Sequence, residues 1–498
     1  MATAVDLEST GSEPESDLTA ENSAPIGKLA AQIARQIEAS VIRQDWPVGA
    51  LLGSEVDLRE HYGVSRSVLR EAVRLVEHHQ VARMRRGPNG GLFVCAPDAG
   101  PATRAMVIYL EYVGTSVTDL LHARLLLEPI AAGLAADRIS EEGIETLRAI
   151  VGSEHAHRGD AAAQTQDPLH PELGRLSGNP VLHLFIDVLT RLTARYAHTS
   201  RRITKAEVLS SKAASIEEHR GIVEAVIAGD GGQAQTMLTT HLLAVADWIE
   251  KHRVRRGGRS SGGVVEPEIV EGPRAKLAEV VAARIHDDIA ADGWQVDSVL
   301  GSEADLLARY GISRSVLREA VRLLEYHSIA RMRRGPGGGL IVAEPEPQAS
   351  IDTMALFLEY QGVTADDLQT VRNTIELGTV ARVSARCAEG DDEVAERLAT
   401  AVRWATEGPA DDPRKADRFH SELALLAGNP VLTLFLSILT ELFRRHADGH
   451  DQPLPGDKAA TEVQHVHQHI LDAIVQGDAG VARHRMRRHL DTLMPWWH

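Results

Sequence analysis

Residues 62–94 read YGVSRSVLREAVRLVEHHQVARMRRGPNGGLFV and residues 310–342 read YGISRSVLREAVRLLEYHSIARMRRGPGGGLIV, which makes 26 of 33 positions identical at a constant offset of 248. Self-similarity of this length marks a duplicated module. Whatever fold one copy takes the other must take too, so the 498 residues are read as two units of one kind.

Within the repeat, Val68, Leu69, Ala72, Val73 and Val76 recur at spacings of three and four, the apolar face of an amphipathic helix. Ser65 is placed to cap its start. Upstream, Ser54 with Asp57 three residues on resembles a capping box, so a second short helix should run to Tyr62, with Gly63 allowing a tight turn. Two short helices joined by a Gly turn form the helix-turn-helix pattern. The opposite face carries Arg66, Ser67, Arg70 and Arg74, and Arg83, Arg85 and Arg86 follow before a Gly87–Gly91 turn. Arginine suits the acceptors of guanine and, with serine, phosphate oxygens. A Gly-rich turn between short strands at Val81–Arg85 and Leu92–Cys95 forms a wing that can approach a sugar-phosphate backbone. The arginines recur as Arg314, Arg318, Arg322, Arg331, Arg333 and Arg334 in a chain whose net charge is -17. The basic footprint is therefore local and suits nucleic acid; an Arg-rich solvated helix followed by a hairpin is the plain alternative.

These residues resemble the winged helix of GntR-type bacterial regulators, in the FadR-like branch. The resemblance implies DNA contacts from Arg66, Ser67, Arg70 and the wing residues Arg86, Gly87 and Gly90, and from Arg314, Ser315, Arg318, Arg334, Gly335 and Gly338. Where the family has L-P-S-E-R, this chain has Leu52-Gly53-Ser54-Glu55-Val56 and Leu300-Gly301-Ser302-Glu303-Ala304, so one basic contact of the family is missing from each copy.

The expected fold is mainly α, with two winged helix-turn-helix domains, each followed by an all-α bundle. Leu29, Ile33, Ile37 and Val41 form a stripe that should back the first reader, with Trp46 closing its core. Leu277, Val281, Ile285, Ile289 and Trp294 repeat this. The expected parts are an acidic disordered tail 1–24, winged helix one 25–97, helical domain one 98–252, a Gly/Ser/Arg linker 253–272, winged helix two 273–345 and helical domain two 346–498. About 20 linker residues reach on the order of 25 Å, enough for the halves to pair within one chain. The two cysteines suggest no disulfide framework, and no apolar run approaches the roughly 20 residues of a membrane span. A bacterial cytoplasmic location is expected.

Histidines are numerous, at 23. His219 and His241 are 22 apart, as are His467 and His489. His170 and His420 each stand nine residues before the Asn of a Gly-Asn-Pro stop and three after an acid, Asp167 and Asp417. Three imidazoles and a carboxylate suit Zn²⁺ or Ni²⁺; packed or capped histidines are the plain alternative. The domain is similar to the FCD effector domain that accompanies this winged helix, in which an Asp and three His often bind a metal beside a small carboxylate effector. That family's Asp precedes the His by four residues, where this chain has Gln166 and Ala416. Prolines at 168 and 171 suggest that Asp167 caps a helix start, which makes site two the better expected metal or ligand site. Arg124 and Arg372, each four residues before a Glu, are read either as holding an effector carboxylate or as surface ion pairs.

The leading expectation is a regulator whose affinity for a palindrome-like duplex operator responds to a small-molecule or metal ligand. One chain would supply both half-site readers as an internal pseudo-dimer, with further homodimerisation left open. A metal-dependent enzyme with accessory DNA-binding domains and an effector-independent architectural binder are the competing expectations. No H-E-x-x-H or nucleophilic triad stands out, which argues against the enzyme.

Overall fold

A computed structural model describes residues 26–87, 90–157, 167–197, 204–252, 273–333, 335, 337–345, 347–406, 414–448 and 457–493. The expected tail and linker, Pro88, Asn89 and Arg334 lie outside these, as does the side chain of Asp417.

The first unit begins with α1 (Ile26–Arg43), β1 (Leu51–Gly53), α2 (Glu55–Tyr62), α3 (Arg66–His78), β2 (Ala82–Arg85) and β3 (Gly91–Val94). Seven helices follow: α4 (Ala99–Tyr112), α5 (Val117–Arg138), α6 (Glu141–Ala156), α7 (Leu169–Leu176), α8 (Pro180–Ala197), α9 (Lys205–Ile227) and α10 (Gly231–His252). The second unit repeats the order as α11 (Pro273–Ala291), β4 (Val299–Gly301), α12 (Glu303–Tyr310), α13 (Arg314–Tyr326), β5 (Ala330–Arg333) and β6 (Gly339–Val342). Its helices are α14 (Pro347–Tyr360), α15 (Ala365–Ala388), α16 (Asp392–Thr406), α17 (Arg414–Leu426), α18 (Pro430–Asp448), α19 (Asp457–Val475) and α20 (Ala479–Leu493).

Local chemistry accounts for the reader elements. Ser54 and Asp57 form the reciprocal capping box at α2, Gly63 closes that helix in the left-handed region (φ 62°), and Ser65 Oγ accepts from Val68 N at the start of α3. Each wing is a three-stranded antiparallel sheet, in the order β1-β3-β2 and β4-β6-β5. β1 and β4 were not expected, because three residues are too few to show a period of two. Their pairing explains Gly91 and Gly339. A Cβ on Gly91 would stand 2.6 Å from Gly53 O, and one on Gly339 2.4 Å from Gly301 O. Pro101 lies in the first turn of α4, where no intrahelical N–H is required of it.

The two halves share one core. Phe185 of α8 stacks on Phe435 of α18, its counterpart, with centroids 3.8 Å apart and an interplanar angle of 13°, so an approximate twofold axis passes between equivalent rings. The Gly-Asn-Pro stops also serve as clasps. Asn179 Oδ1 accepts from Val181 and Leu182 N at the head of α8, while its Nδ2 donates 3.0 Å to Asp367 O of the other half. Asn429 does the same toward Val431, Leu432 and Asp119 O.

The readers are crossed. Leu356 and Tyr360 of α14 belong to the apolar core of winged helix one, with Tyr360 edge-on to Trp46 at 5.4 Å. Ile108 and Tyr112 of α4 belong to that of winged helix two, with Tyr112 edge-on to Trp294 at 5.6 Å. Each winged helix therefore docks on the helical domain of the opposite half. Polar seams line these junctions and differ between them. Arg445 of α18 faces Glu38 (3.7 Å), Asp352 (3.5 Å) and Glu441 (2.8 Å), and Glu38 also meets His79 Nδ1 at 2.6 Å. At the other junction, His286, which stands where Glu38 does, lies 3.3 Å from Glu111. Among the described residues, no helix is long and apolar enough to cross a membrane.

Candidate functional site

On α3, Val68, Leu69, Ala72, Val73 and Val76 are buried, which leaves Arg66, Ser67, Arg70 and Arg74 exposed on the other face. On α13, Val316, Leu317, Ala320, Val321 and Leu324 are buried and Arg314, Ser315, Arg318 and Arg322 are exposed. Glu55, at the head of α2, holds Arg66 Nε at 2.6 Å and Arg70 Nε at 3.4 Å, and the Arg66 hydrogen bond lowers the carboxyl below its ordinary range. Glu303 holds Arg314 more loosely, at 3.6 Å. These ion pairs are exposed and weak, so a phosphate or a guanine edge competes with them readily. In the wings, Gly87 (φ 121°) and Gly335 (φ 101°) occupy backbone conformations that side chains resist. A Cβ on Gly90 would meet Arg85 O at 2.4 Å. Arg333 Nη2 donates to Gly337 O at 2.9 Å, and Gly338 lies beside that turn. Arg86 is exposed.

The six expected histidines form two buried clusters, His170 with His219 and His241, and His420 with His467 and His489. In the first, His219 Nε2 and His241 Nε2 are 3.3 Å apart. His170 Nε2 is buried without a hydrogen-bond partner, although Asp167 Oδ2 lies 3.2 Å away, out of line for one. Each imidazole is held from behind by a carboxylate: His170 Nδ1 donates to Glu128 Oε2 (2.6 Å), His219 Nδ1 to Glu154 Oε2 (3.0 Å) and His241 Nδ1 to Glu218 Oε2 (2.7 Å). A carboxylate only accepts, so each Nδ1 carries a proton, and Nε2 is the nitrogen left to face the centre.

In the second cluster, His467 Nε2 lies 2.9 Å from His489 Nε2, which lies 3.3 Å from His420 Nε2. Glu376 accepts from His420 Nδ1, and Phe419 stacks on His467 at 3.8 Å. Nitrogens about 2.1 Å from a common ion stand about 3.0 to 3.4 Å apart in octahedral or tetrahedral arrangement. The His219–His241 pair, at 3.3 Å, and the chain of contacts in the second cluster, at 2.9 and 3.3 Å, are close to that spacing, and the ligand atoms of each cluster all lie within 4.8 Å of one another. Their donor sets fit a first-row divalent ion, and His170 Nε2 is buried with no hydrogen bond, only the ion-pair contact with Asp167.

Electrostatics keep His241, His467 and His489 neutral, whereas an ion would have to displace a second proton from His170. Burial and the neighbouring imidazoles push His241 down to about 2 and His489 down to about 3, and hold His467 well below the usual range. Burial opposes charge on His170, yet Asp167 and Glu128 push it up to about 9. Burial also opposes charge on Asp167, but His170 and His219 hold its carboxyl well below the usual carboxylate range.

Two expectations change. Asp167 precedes α7 rather than sharing its face, and it serves twice: Oδ1 accepts from Leu169 N at 3.2 Å while Oδ2 faces His170 and, at 3.8 Å, His219. Capping does not withdraw it from the pocket, and among the described side chains site one is the pocket with more carboxylate support. Arg124 and Arg372 are not surface ion pairs. Arg124 is 4% exposed, and its Nε donates to Glu128 Oε1 at 2.5 Å; Arg372 Nε donates to Glu376 Oε1 at 2.6 Å. Each arginine thus braces the carboxylate that braces a histidine, and the two carboxyls are held down at about 2, burial being overcome by the cations beside them. Glu154 and Glu218 were missed, and Glu128 and Glu376 were noticed only as partners of the arginines. The i,i+4 spacing after Arg124 and Arg372 marked Glu128 and Glu376 but could not say which way they face.

The sequence matches the FCD domain over residues 119–244 and 367–492, just over half of the chain, and the bacterial regulatory proteins of the gntR family over 29–94 and 277–339. The HTH-type transcriptional regulator LutR of Bacillus subtilis (strain 168) is 29% identical over 204 residues, 40% of this chain and 91% of that protein. The HTH-type transcriptional repressor NanR of Enterobacter sp. (strain 638) is 24% identical over 226 residues, 44% of this chain and 85% of that one. Among solved structures, Streptococcus agalactiae GntR covers 44% of this chain and 99% of its own, at 24% identity and a TM-score of 0.33. The matched families and relatives are regulators of transcription, not enzymes. The chain belongs to the GntR family of transcriptional regulators, with the DNA-binding module and the FCD domain each present twice in one polypeptide.

Proposed function

We propose that this regulator reads both halves of one twofold duplex operator with a single chain, and that ligand bound in the helical domains sets its affinity. The readers would be Arg66, Ser67 and Arg70 with the wing residues Arg86, Gly87 and Gly90, and Arg314, Ser315 and Arg318 with Arg334, Gly335 and Gly338. The ion would be Zn²⁺ or Ni²⁺, held by Asp167, His170, His219 and His241 in one half and by His420, His467 and His489, with Asp417, in the other. Such an ion would supply positive charge and open coordination positions for the carboxylate of a small effector. The chain's own residues orient the imidazoles and exclude water, and Arg124 and Arg372 act through Glu128 and Glu376 rather than on the effector.

The single observation that carries the reading is the pair of buried three-histidine clusters, each in a helical domain on which the opposite half's DNA reader is docked. A ligand that shifts those helices has a direct mechanical route to a reader. The test is selection of bound DNA from a random pool. Arg66→Ala with Arg70→Ala should abolish one half of the selected site, and Arg314→Ala with Arg318→Ala the other. Sedimentation showing two chains on every operator would overturn the single-chain reading. Full operator binding and zero metal content in a His467→Ala, His489→Ala, His219→Ala, His241→Ala protein, with no change in effector response, would overturn the sensor reading.

A further inference from the structure

The two pockets use equivalent histidines but are not equivalent. In pocket one all three Nδ1 atoms are backed by carboxylates, from Glu128, Glu154 and Glu218. In pocket two the position of Glu218 is held by Val466, next to His467 as Glu218 is to His219. On α16, the residue as far beyond the core residue Leu398 as Glu154 is beyond Leu147 is Ala405. Among the described side chains, only Glu376, behind His420, is retained. His467 instead lies flat against Phe419, where pocket one has Leu169.

A carboxylate behind a ligating imidazole fixes its tautomer, aims its lone pair and adds negative charge near the ion, and loss of one such partner typically costs 10–100-fold in metal affinity. Among the described side chains, pocket one has two more of them than pocket two. We infer that the chain holds two divalent ions of unequal tenacity, with pocket one keeping a resident ion and pocket two holding the exchangeable one. This rests on the metal reading of the pockets proposed above. Because winged helix one docks on the half that contains pocket two, through Leu356 and Tyr360 and through Arg445 facing Glu38, the exchangeable ion is the one in the half that carries reader one.

The full-length chain, stripped with EDTA and titrated with Zn²⁺ against a fluorescent chelator, should load in two steps separated by about 100-fold or more. His467→Ala with His489→Ala should remove the weaker step, and His219→Ala with His241→Ala the tighter one. Glu154→Gln with Glu218→Gln preserves size and should bring the tighter step toward the weaker without changing the stoichiometry of two. Val466→Glu should strengthen the weaker step. Two equal steps, or loss of the weaker step in the His219/His241 variant, would overturn the inference and leave the metal reading intact. Absence of Zn²⁺ from both pockets of a folded chain, judged by its helical circular dichroism, would overturn the metal reading itself.

Discussion

Glu359 sits on α14 at the junction with winged helix one, where burial, with Glu38 and Glu441 nearby, pushes its carboxyl up to about 7 against the pull of Arg445. A carboxyl whose folded pKa exceeds its ordinary 4.5 binds its proton more tightly when folded. Its contribution to stability is full below about pH 4.5 and is lost as pH rises through about 7, a change of a few kcal/mol at most. Chemical denaturation from pH 4.5 to 7.5 should show that decline, and Glu359→Gln should flatten it; an unchanged slope would remove Glu359 as its source. The histidines of the pockets were legible as residues because the same three recur in both halves at matched spacings. Their supporting acids were not. A Glu four residues after an Arg looks alike on a solvated and on a buried face, and Glu154 and Glu218 come to their imidazoles from helices whose packing no local pattern encodes.

The reader elements were legible because each depends on neighbours in the chain: a Ser-to-Asp box at α2, a left-handed Gly63, an apolar stripe on α3. The wing was only partly so, since β1 is defined by its partner, and Gly91 and Gly339 are required by the approach of Gly53 and Gly301 rather than by their own turns. Gly91→Ala should therefore displace β1 and cost about 1–3 kcal/mol, read as a lower melting temperature with weakened DNA binding; a variant with both unchanged would show the sheet to be more tolerant than its backbone distances allow. The Gly-Asn-Pro stops were read as helix ends, and they are. That the same Asn amide reaches across to the other half could not be read, because Asp367 and Asp119 contribute a main-chain carbonyl and leave no side-chain signature. Asn429→Ala removes a helix cap and a donor to a part-buried carbonyl, and should cost about 1–3 kcal/mol in denaturant unfolding.

For the whole molecule, Phe185 and Phe435 stack at the point where the halves meet, so truncating either to Ala should cost about 3–5 kcal/mol and lower the melting of both halves together. Two separated transitions would show that the shared core is not cooperative. A protease site placed within 253–272 offers a complementary check: after cleavage the halves should still elute together at the size of the 54.0 kDa chain, held by that core and by both crossed readers. Two domains per unit and their order were legible from the repeat, whereas the crossing was not, because Leu356 and Tyr360 look like any apolar positions on α14. The unlike seams at the two junctions carry a further consequence. In a homodimer, each gene change is stamped on both subunits at once, so a surface cannot improve on one side without altering its twin. Here Glu38 faces an arginine while its counterpart His286 faces a glutamate, and one pocket has acids where the other has valine and alanine. Fusion has freed the halves to inherit separately, and one reader can be retuned by selection while the other stays as it was.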